Sequence, residues 1–215
     1  MEGDTASGRS YDLRDAAPHL AGSDDENVLE PHEPQANVRA VTTVRAATMA
    51  DADEIGRIQV ETWHEAYAAL LPPETIAGFD VAARQQLWRD GLAREPRPGS
   101  ATFVAVEDDA IVGFATVGAS ASEDDAGEVY AIYVHPSGWG HGAGRALIER
   151  SEESLRRAGF ARALLWVLEG NDRAERFYRA AGWEHDGEKE DVFQGATVVE
   201  RRYRKLLRAT DGDEA

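Results

Sequence analysis

Residues 129–168 constrain the fold most strongly, because they pass from a strand pattern to a helix pattern and back. Residues 129–134 form an apolar run typical of a buried strand, and residues 142–158 carry apolar side chains at helical spacing. Residues 163–168 are again almost wholly apolar, as in a strand whose sheet is covered on both faces. Two strands joined by one helix run parallel, with a right-handed crossover.

The remaining segments extend this β-α-β unit into a larger sheet. Residues 102–107 and 110–118 form two β runs around the acidic turn at Asp108 and Asp109, which predicts an antiparallel hairpin leading into the strand at 129–134. The other predicted elements are a strand at residues 41–44, helices near 51–70, 81–94 and 172–181, and strands near 190–193 and 197–206. We therefore predict an α/β fold with a central mixed, mostly antiparallel sheet and helices on both faces.

Both ends of the chain differ from this body in composition. Residues 1–40 hold nine acidic and three basic side chains and almost no apolar periodicity. Such a segment buries too little apolar surface to offset the entropy of ordering it. We expect a disordered acidic tail over residues 1–38, one domain over 39–208 and a frayed tail over 209–215.

Charge and residue usage exclude several classes of function. A net charge of -17 argues against a nucleic-acid partner, because phosphate backbones bind cationic surfaces. The absence of cysteine excludes disulfides and thiol nucleophiles, and six histidines without metal-ligand spacing predict no metal site. No apolar run approaches the roughly 18 residues of a membrane span, and no signal-peptide pattern is present, so we expect a cytoplasmic protein without membrane contact.

A run of glycines stands where the strand at 129–134 gives way to the following helix. Gly138, Gly140, Gly142 and Gly144 alternate with other residues. Glycines expose backbone N–H groups, and a helix N-terminus adds partial positive charge, so the run predicts an anion cradle suited to a pyrophosphate. A flexible turn would explain one or two of these glycines, but explains four less well.

Other phosphate-binding motifs fit the glycine run poorly. A P-loop requires Lys followed by Ser or Thr after its last glycine, and Arg145-Ala146 stands there instead. Gly138, Gly140 and Ala143 satisfy a dinucleotide fingerprint. However, the chain that follows Glu169 is too short to complete the doubly wound sheet that this motif belongs to.

A second motif follows the strand at 163–168. From Asn171 to Trp183 the chain reads N-x-x-A-x-x-F-Y-x-x-x-G-W. The glycine run and this motif together resemble the GNAT-type N-acetyltransferase superfamily, and the resemblance extends over about residues 41–206. The predicted first helix, which contains Trp63 and Tyr67, is also similar to that of many bacterial members.

The resemblance implies acetyl-CoA as co-substrate, held where the two parallel strands separate. In such proteins the backbone of the first strand pairs with the pantetheine arm and polarises the thioester carbonyl, as an oxyanion hole does. The resemblance assigns cofactor binding to Ile132, Tyr133, Val134, Gly140, His141, Gly142, Ala143, Gly144, Arg145 and Asn171.

One position departs from the family pattern. The family has Gln or Arg, two residues, Gly, one residue and Gly, whereas this chain has Trp139 at the first position. The polar contact of that side chain is therefore in question, and Trp139 either covers the cofactor or packs elsewhere. We expect a cofactor affinity below the family norm.

The resemblance assigns two catalytic roles. Tyr178 matches the phenol that protonates the departing thiolate, although core packing would also explain it. Glu128 matches a position that often carries a catalytic or water-relaying Glu, although a solvated strand-end carboxylate would also explain it. Ribosomal-protein alanine acetylases carry a Glu five residues before the Asn, where this chain has Trp166, so that activity is disfavoured.

The acceptor is less constrained than the donor. Trp63 and Tyr67 are expected near the acceptor mouth, and the acidic body favours a cationic small-molecule or peptide amine. We expect direct attack of a primary amine on the thioester, without a covalent intermediate. The alternative is a non-catalytic acyl-CoA-binding sensor or interaction module. Paired C-terminal strands are compatible with a homodimer.

Overall fold

The structure, a computed structural model, describes residues 41–193 and 195–207, so the two predicted tails lie outside the described residues. The strands are β1 (Thr43–Ala46), β2 (Ala101–Glu107), β3 (Ala110–Ala119), β4 (Gly127–Val134), β5 (Arg162–Leu168), β6 (Glu184–Phe193) and β7 (Ala196–Leu206). The helices are α1 (Ala52–Tyr67), α2 (Pro73–Ala77), α3 (Val81–Leu92), α4 (Ala143–Arg157) and α5 (Asp172–Ala180).

The strands form one seven-stranded sheet in the order β1-β2-β3-β4-β5-β7-β6. Only the β4–β5 pair is parallel among the described strand pairs, and α4 makes the crossover between its two members. The mixed, mostly antiparallel sheet predicted from the sequence is therefore confirmed. Because β7 inserts between β5 and β6, the last hairpin extends the sheet beyond the parallel pair.

Helices cover both faces of the sheet, as expected. On one face α4 and α5 bury a core that includes Leu147, Leu155 and Tyr178. On the other face α1 and α3 bury a second core that includes Trp63 and Trp88. Successive residues of a strand point to opposite faces, so β4 contributes to both cores.

Two local elements differ from the sequence prediction. The strand predicted at residues 190–193 begins at Glu184, because β6 is an exposed, polar edge strand that lacks apolar alternation. A short helix, α2, that the sequence analysis did not predict lies between α1 and α3, with Pro73 in its first turn. Proline is tolerated there, since the first N–H groups of a helix have no intrahelical partner.

A buried hydrogen bond links α1 to α3. The indole N–H of Trp88 donates to Oε1 of Gln59 over 2.7 Å, and both side chains are buried. Without this acceptor the indole N–H would be desolvated and unsatisfied, which typically costs about 1–3 kcal/mol. The bond therefore contributes to the alignment of the two helices over β3 and β4.

We predict that Gln59→Leu lowers the free energy of unfolding by about 1–3 kcal/mol, because it removes the acceptor while keeping side-chain volume. Urea denaturation measures the change. Gln86→Leu, on the exposed face of α3, is the matched control and should change stability by about 0.5 kcal/mol or less. Equal stability of both variants would contradict the role given to Gln59.

Candidate active site

The defining feature of the site is a gap between β4 and β5, which we call the splay. Of the described residues in these strands, only Gly127 with Ala163 and Glu128 with Leu164 pair across the parallel interface. Beyond Glu128 the strands diverge, and the backbone edges that face each other do not complete a ladder. Backbone N–H and C=O groups at such an edge are available to a ligand that lies between the strands.

The glycine loop closes one end of the splay, after β4. Gly140 and Gly142 have φ angles of +80° and +96°, which side chains of L-residues rarely adopt. A Cβ built at either position meets no atom within 4 Å, so the backbone lies open to solvent. Gly142 is the N-cap of α4, whose first N–H groups and dipole face the same space. This neutral cradle fits a pyrophosphate.

Trp139 lies at the junction of the splay and the glycine loop. The amide of His135 donates to Val112 O on β3, so the neighbouring carbonyl of Val134 points the other way, towards β5. The indole N–H of Trp139 donates to that carbonyl over 2.7 Å. Trp139 therefore packs back onto the end of β4.

A cation from the opposite wall of the splay covers the Trp139 ring. The guanidinium carbon of Arg173, in the first turn of α5, lies 3.4 Å from the ring centroid. The contact joins the loop after β4 to the helix after β5. The sequence analysis did not single out Arg173, because nothing in the chain order shows that it reaches residue 139.

Three predicted cofactor residues have partners within the protein. Nε of Arg145 donates to Glu149 over 2.6 Å on the exposed face of α4. Nδ1 of His141 lies 3.5 Å from a carboxylate oxygen of Glu107. Oδ1 of Asn171 caps α5 by accepting from the amide of Ala174. Asn171 is therefore at least a helix cap, and its contact with a cofactor stays a prediction.

Tyr178 lies on the α5 wall of the splay, fully buried against Phe177, Trp183 and Tyr203. Desolvation raises the pKa of its phenol, and the Tyr133 phenol raises it further. A phenol with a raised pKa stays protonated at neutral pH, so Tyr178 can donate a proton but cannot act as a base.

A buried network holds α5 against β7. The hydroxyl of Tyr203 donates to Glu175 over 3.0 Å, and Arg201 donates to the other carboxylate oxygen over 2.8 Å. Burial and Glu175 raise the pKa of Tyr203 to about 12, so this phenol remains the donor. Glu175 lies three residues before Tyr178, so the network holds the part of α5 that carries Tyr178.

Glu128 lies where the strands begin to separate. Its carboxylate accepts a hydrogen bond from the Ser120 hydroxyl over 2.8 Å. Desolvation raises its pKa, and the Ser120 bond and the charge of Lys189 offset only part of the rise. A carboxyl group with a raised pKa is closer to the range that suits a general base at neutral pH.

Glu200 is a second buried carboxylate near the splay, and the sequence analysis missed it. It pairs with Leu168 of β5, and its pKa is raised by burial. Lys189 lies 2.9 Å from Glu200 and stacks 4.4 Å from the ring centroid of Trp166. Trp166, which stands where alanine acetylases carry Glu, therefore faces a cation. Only the strand order β5-β7-β6 reveals this cluster.

The two predicted substrate residues lie on the α1 face. Trp63 and Tyr67 are fully buried, in an aromatic cluster with Phe79 and Phe193. Tyr67 shares a hydrogen bond with Tyr133 of β4, and burial raises the pKa of both phenols. Both side chains pack against Tyr133 of β4, and their contact with an acceptor stays a prediction.

His64 and His135 both have contacts in the region of α1. His64 is exposed beside Phe79, and His135 bonds Ser137 and lies 3.1 Å from Glu61. Throughout residues 41–193 and 195–207, no three His, Asp or Glu side chains are placed to hold a metal ion. None of the helices in that part of the chain is long and apolar enough to cross a membrane.

The seven-stranded sheet with its splay and glycine loop has the architecture expected of the GNAT type. Residues 58–183 match the Acetyltransferase (GNAT) family, so the chain belongs to that family and is an acetyltransferase. The chain is 29% identical over 163 residues to the uncharacterized N-acetyltransferase YuaI of Bacillus subtilis, covering 74% of this chain and 90% of YuaI. It is 31% identical to the uncharacterized N-acetyltransferase Rv2669 of Mycobacterium tuberculosis, covering 65% and 86%.

Solved structures share the fold at low identity. The PaiA N-acetyltransferase of Thermoplasma acidophilum, in complex with coenzyme A, superposes with a TM-score of 0.62 at 17% identity, covering 77% of this chain and 99% of that one. YncA of Salmonella typhimurium, with its cofactor acetyl-CoA, superposes with a TM-score of 0.60 at 22% identity, covering 82% of this chain and 99% of that one. These comparisons establish the fold and leave the ligands to be argued from this chain.

We predict that Glu128→Gln stabilises the protein increasingly as pH rises. Because the folded pKa of Glu128 lies above the ordinary value of 4.5, the wild-type protein loses stability as pH rises through that folded pKa. Gln cannot ionise, so the variant escapes this loss. Urea denaturation over a pH range that begins below 4.5 should show a difference that widens and then levels off once both states are ionised, whereas the exposed Glu188→Gln should show none. A constant difference would contradict the prediction.

Proposed function

We propose that the protein transfers an acetyl group from acetyl-CoA to a primary amine by direct attack on the thioester. The observation that supports this most strongly is the splay with the glycine loop at its end. The splay offers backbone groups to an extended pantetheine arm, and the loop offers N–H groups to its pyrophosphate. Acetyl-CoA supplies the activated acyl group.

The chain would activate the thioester through the β4 backbone. Ile132 and Val134 share one edge of β4, the edge turned towards β5. An N–H group there can donate to the carbonyl oxygen of the thioester as negative charge develops on it. Fixed donors of this kind contribute about 3–4 kcal/mol to transition states in other enzymes. Because the carbonyl of Val134 is bound to Trp139, the end of this edge is held rigid.

Glu128 would take the proton that the amine releases. It lies at the opening of the splay on the α1 face, together with Glu200 and Lys189. The carboxylates of Glu128 and Glu200 lie at this opening, and they favour a cationic amine. The acceptor is then a small-molecule amine or a peptide amine. Direct attack needs no covalent intermediate, which suits a chain without cysteine.

Tyr178 would return a proton to the departing thiolate of coenzyme A. Its buried phenol is protonated at neutral pH, and its helix is fixed through Glu175. The site would therefore use one group on each side of the splay, with Glu128 accepting a proton and Tyr178 donating one. Opposite roles require environments that keep one group ionised and the other neutral.

We predict that Tyr178→Phe lowers kcat by about 100-fold, the lower end of what general acid catalysis contributes, and leaves the Kd for acetyl-CoA unchanged. Steady-state kinetics and calorimetric titration measure the two quantities. Tyr203→Phe, which removes a neighbouring buried hydroxyl, is the comparison. It should mainly lower the free energy of unfolding and have a smaller effect on kcat than Tyr178→Phe. Unchanged turnover in Tyr178→Phe would assign the phenol to core packing.

The pH profile tests the role of Glu128. We predict that kcat/KM rises with pH along a limb set by Glu128, and that Glu128→Gln removes this limb and lowers kcat/KM by about 100-fold. A limb that belongs to the acceptor amine instead moves when an amine of different pKa is used. If Glu128→Gln keeps the wild-type profile, Glu128 is not the base.

Release of free coenzyme A from acetyl-CoA in the presence of a panel of amines tests the function as a whole. We expect turnover with cationic primary amines and little with neutral or anionic ones. Binding of acetyl-CoA without turnover on any amine would favour the non-catalytic sensor. Absence of acetyl-CoA binding would overturn both.

A further inference from the structure

The glycine loop presents amides but little positive charge of its own. Arg145, the basic residue that follows it, is directed to Glu149 on the exposed face of α4, where 56% of its side chain is accessible. Trp139, at the start of the loop, offers no donor, because its one N–H is bound to Val134 O. A pyrophosphate in the cradle would therefore meet neutral amides from the β4 side.

Arg173 brings a cation to the same place from the β5 side. Its guanidinium lies over the Trp139 ring at 3.4 Å, and Trp139 directly precedes Gly140 of the cradle. Stacking uses the flat face of a guanidinium, while its N–H donors project in the plane. Those donors match the paired oxygens of a phosphate, which Arg binds in a bidentate manner.

The indole also limits where this cation can go. Because the Trp139 N–H is fixed to the end of β4, the ring is held and presents one face to α5. Arg173 stands two residues after Asn171, which caps α5, so the backbone on the other side is also fixed. The stack therefore bridges the splay at the end where the cradle lies.

We propose that Arg173 binds the pyrophosphate of acetyl-CoA and that Trp139 is a positioning residue that holds Arg173 beside the cradle. This inference rests on the proposed function, since it takes acetyl-CoA as the ligand. It gives the loop a charge partner from the facing helix. It also explains the presence of Trp139 in the loop, since the ring positions Arg173 by stacking.

Calorimetric titration of the full chain tests the proposal with three ligands: coenzyme A, dephospho-coenzyme A and pantetheine. We expect Arg173→Gln to raise the Kd for the first two by about tenfold or more, the range for a charge-assisted hydrogen bond, and to leave pantetheine unchanged. Arg173→Lys, which keeps the charge without the planar stack, should recover part of the loss. The matched control is Arg176→Gln, an exposed arginine one turn along α5, with about twofold change or less.

A double-variant cycle tests the role of Trp139. If Trp139 acts through Arg173, Trp139→Leu weakens coenzyme A binding in the wild-type background and adds little to Arg173→Gln. Trp139→Phe keeps a ring for stacking and should retain more affinity than Trp139→Leu. Additive losses would overturn the positioning role.

Three results would overturn the assignment of Arg173. The first is equal binding of coenzyme A by the wild type and Arg173→Gln. The second is a loss of affinity confined to coenzyme A, which would place the contact at the 3′-phosphate. The third is an equal loss of affinity for pantetheine, which would indicate a structural defect. Failure of the wild-type protein to bind acetyl-CoA would instead overturn the proposed function, so the two failures are distinguishable.

Discussion

The separation of β4 from β5 is the constraint on which the rest of the structure depends. A parallel pair of buried strands would normally complete its ladder, because backbone groups without partners are costly away from water. Here the ladder stops after Glu128 and Leu164, and neighbouring parts compensate. The Trp139 indole satisfies the Val134 carbonyl, β7 pairs along the whole of β5, and α4 and α5 pack beneath the opening. These contacts stabilise the two strands in their separated arrangement.

The charge of the chain takes on a different meaning beside this site. A net charge of -17 argues against an anionic partner, yet the cradle at the splay is built from backbone N–H groups and a helix N-terminus, which do not change the net charge. The buried carboxylates Glu128 and Glu200 lie on the α1 face. The capacity of the chain for a phosphate ligand therefore rests on backbone groups and does not depend on its net charge.

Much of this could be predicted from the sequence, because the informative patterns are local. The β-α-β unit, the hairpin at Asp108 and Asp109 and the glycine loop each depend on periodicity or on turn-forming residues. The start of β6 could not be predicted, since this exposed edge strand has no apolar alternation. The positions of Glu200 and Arg173 in the site could not be predicted either, because each depends on a contact between segments far apart in the sequence. Glu200 needs the insertion of β7 beside β5, and Arg173 meets Trp139 from the other side of the splay.

The ion pairs of Lys189 with Glu200 and Asp191 affect the reactivity of the protein's own lysine side chains. The chain has two lysines, Lys189 and Lys205, among 23 basic residues. Carboxylate partners raise the pKa of Lys189 against the effect of burial, and Lys205 bonds both carboxylate oxygens of Glu152. An ammonium that keeps its proton is no nucleophile, and guanidinium groups do not compete for acyl groups. Both lysine ammonium groups are therefore held in ion pairs with carboxylates, which disfavours the reaction of either lysine as an amine nucleophile.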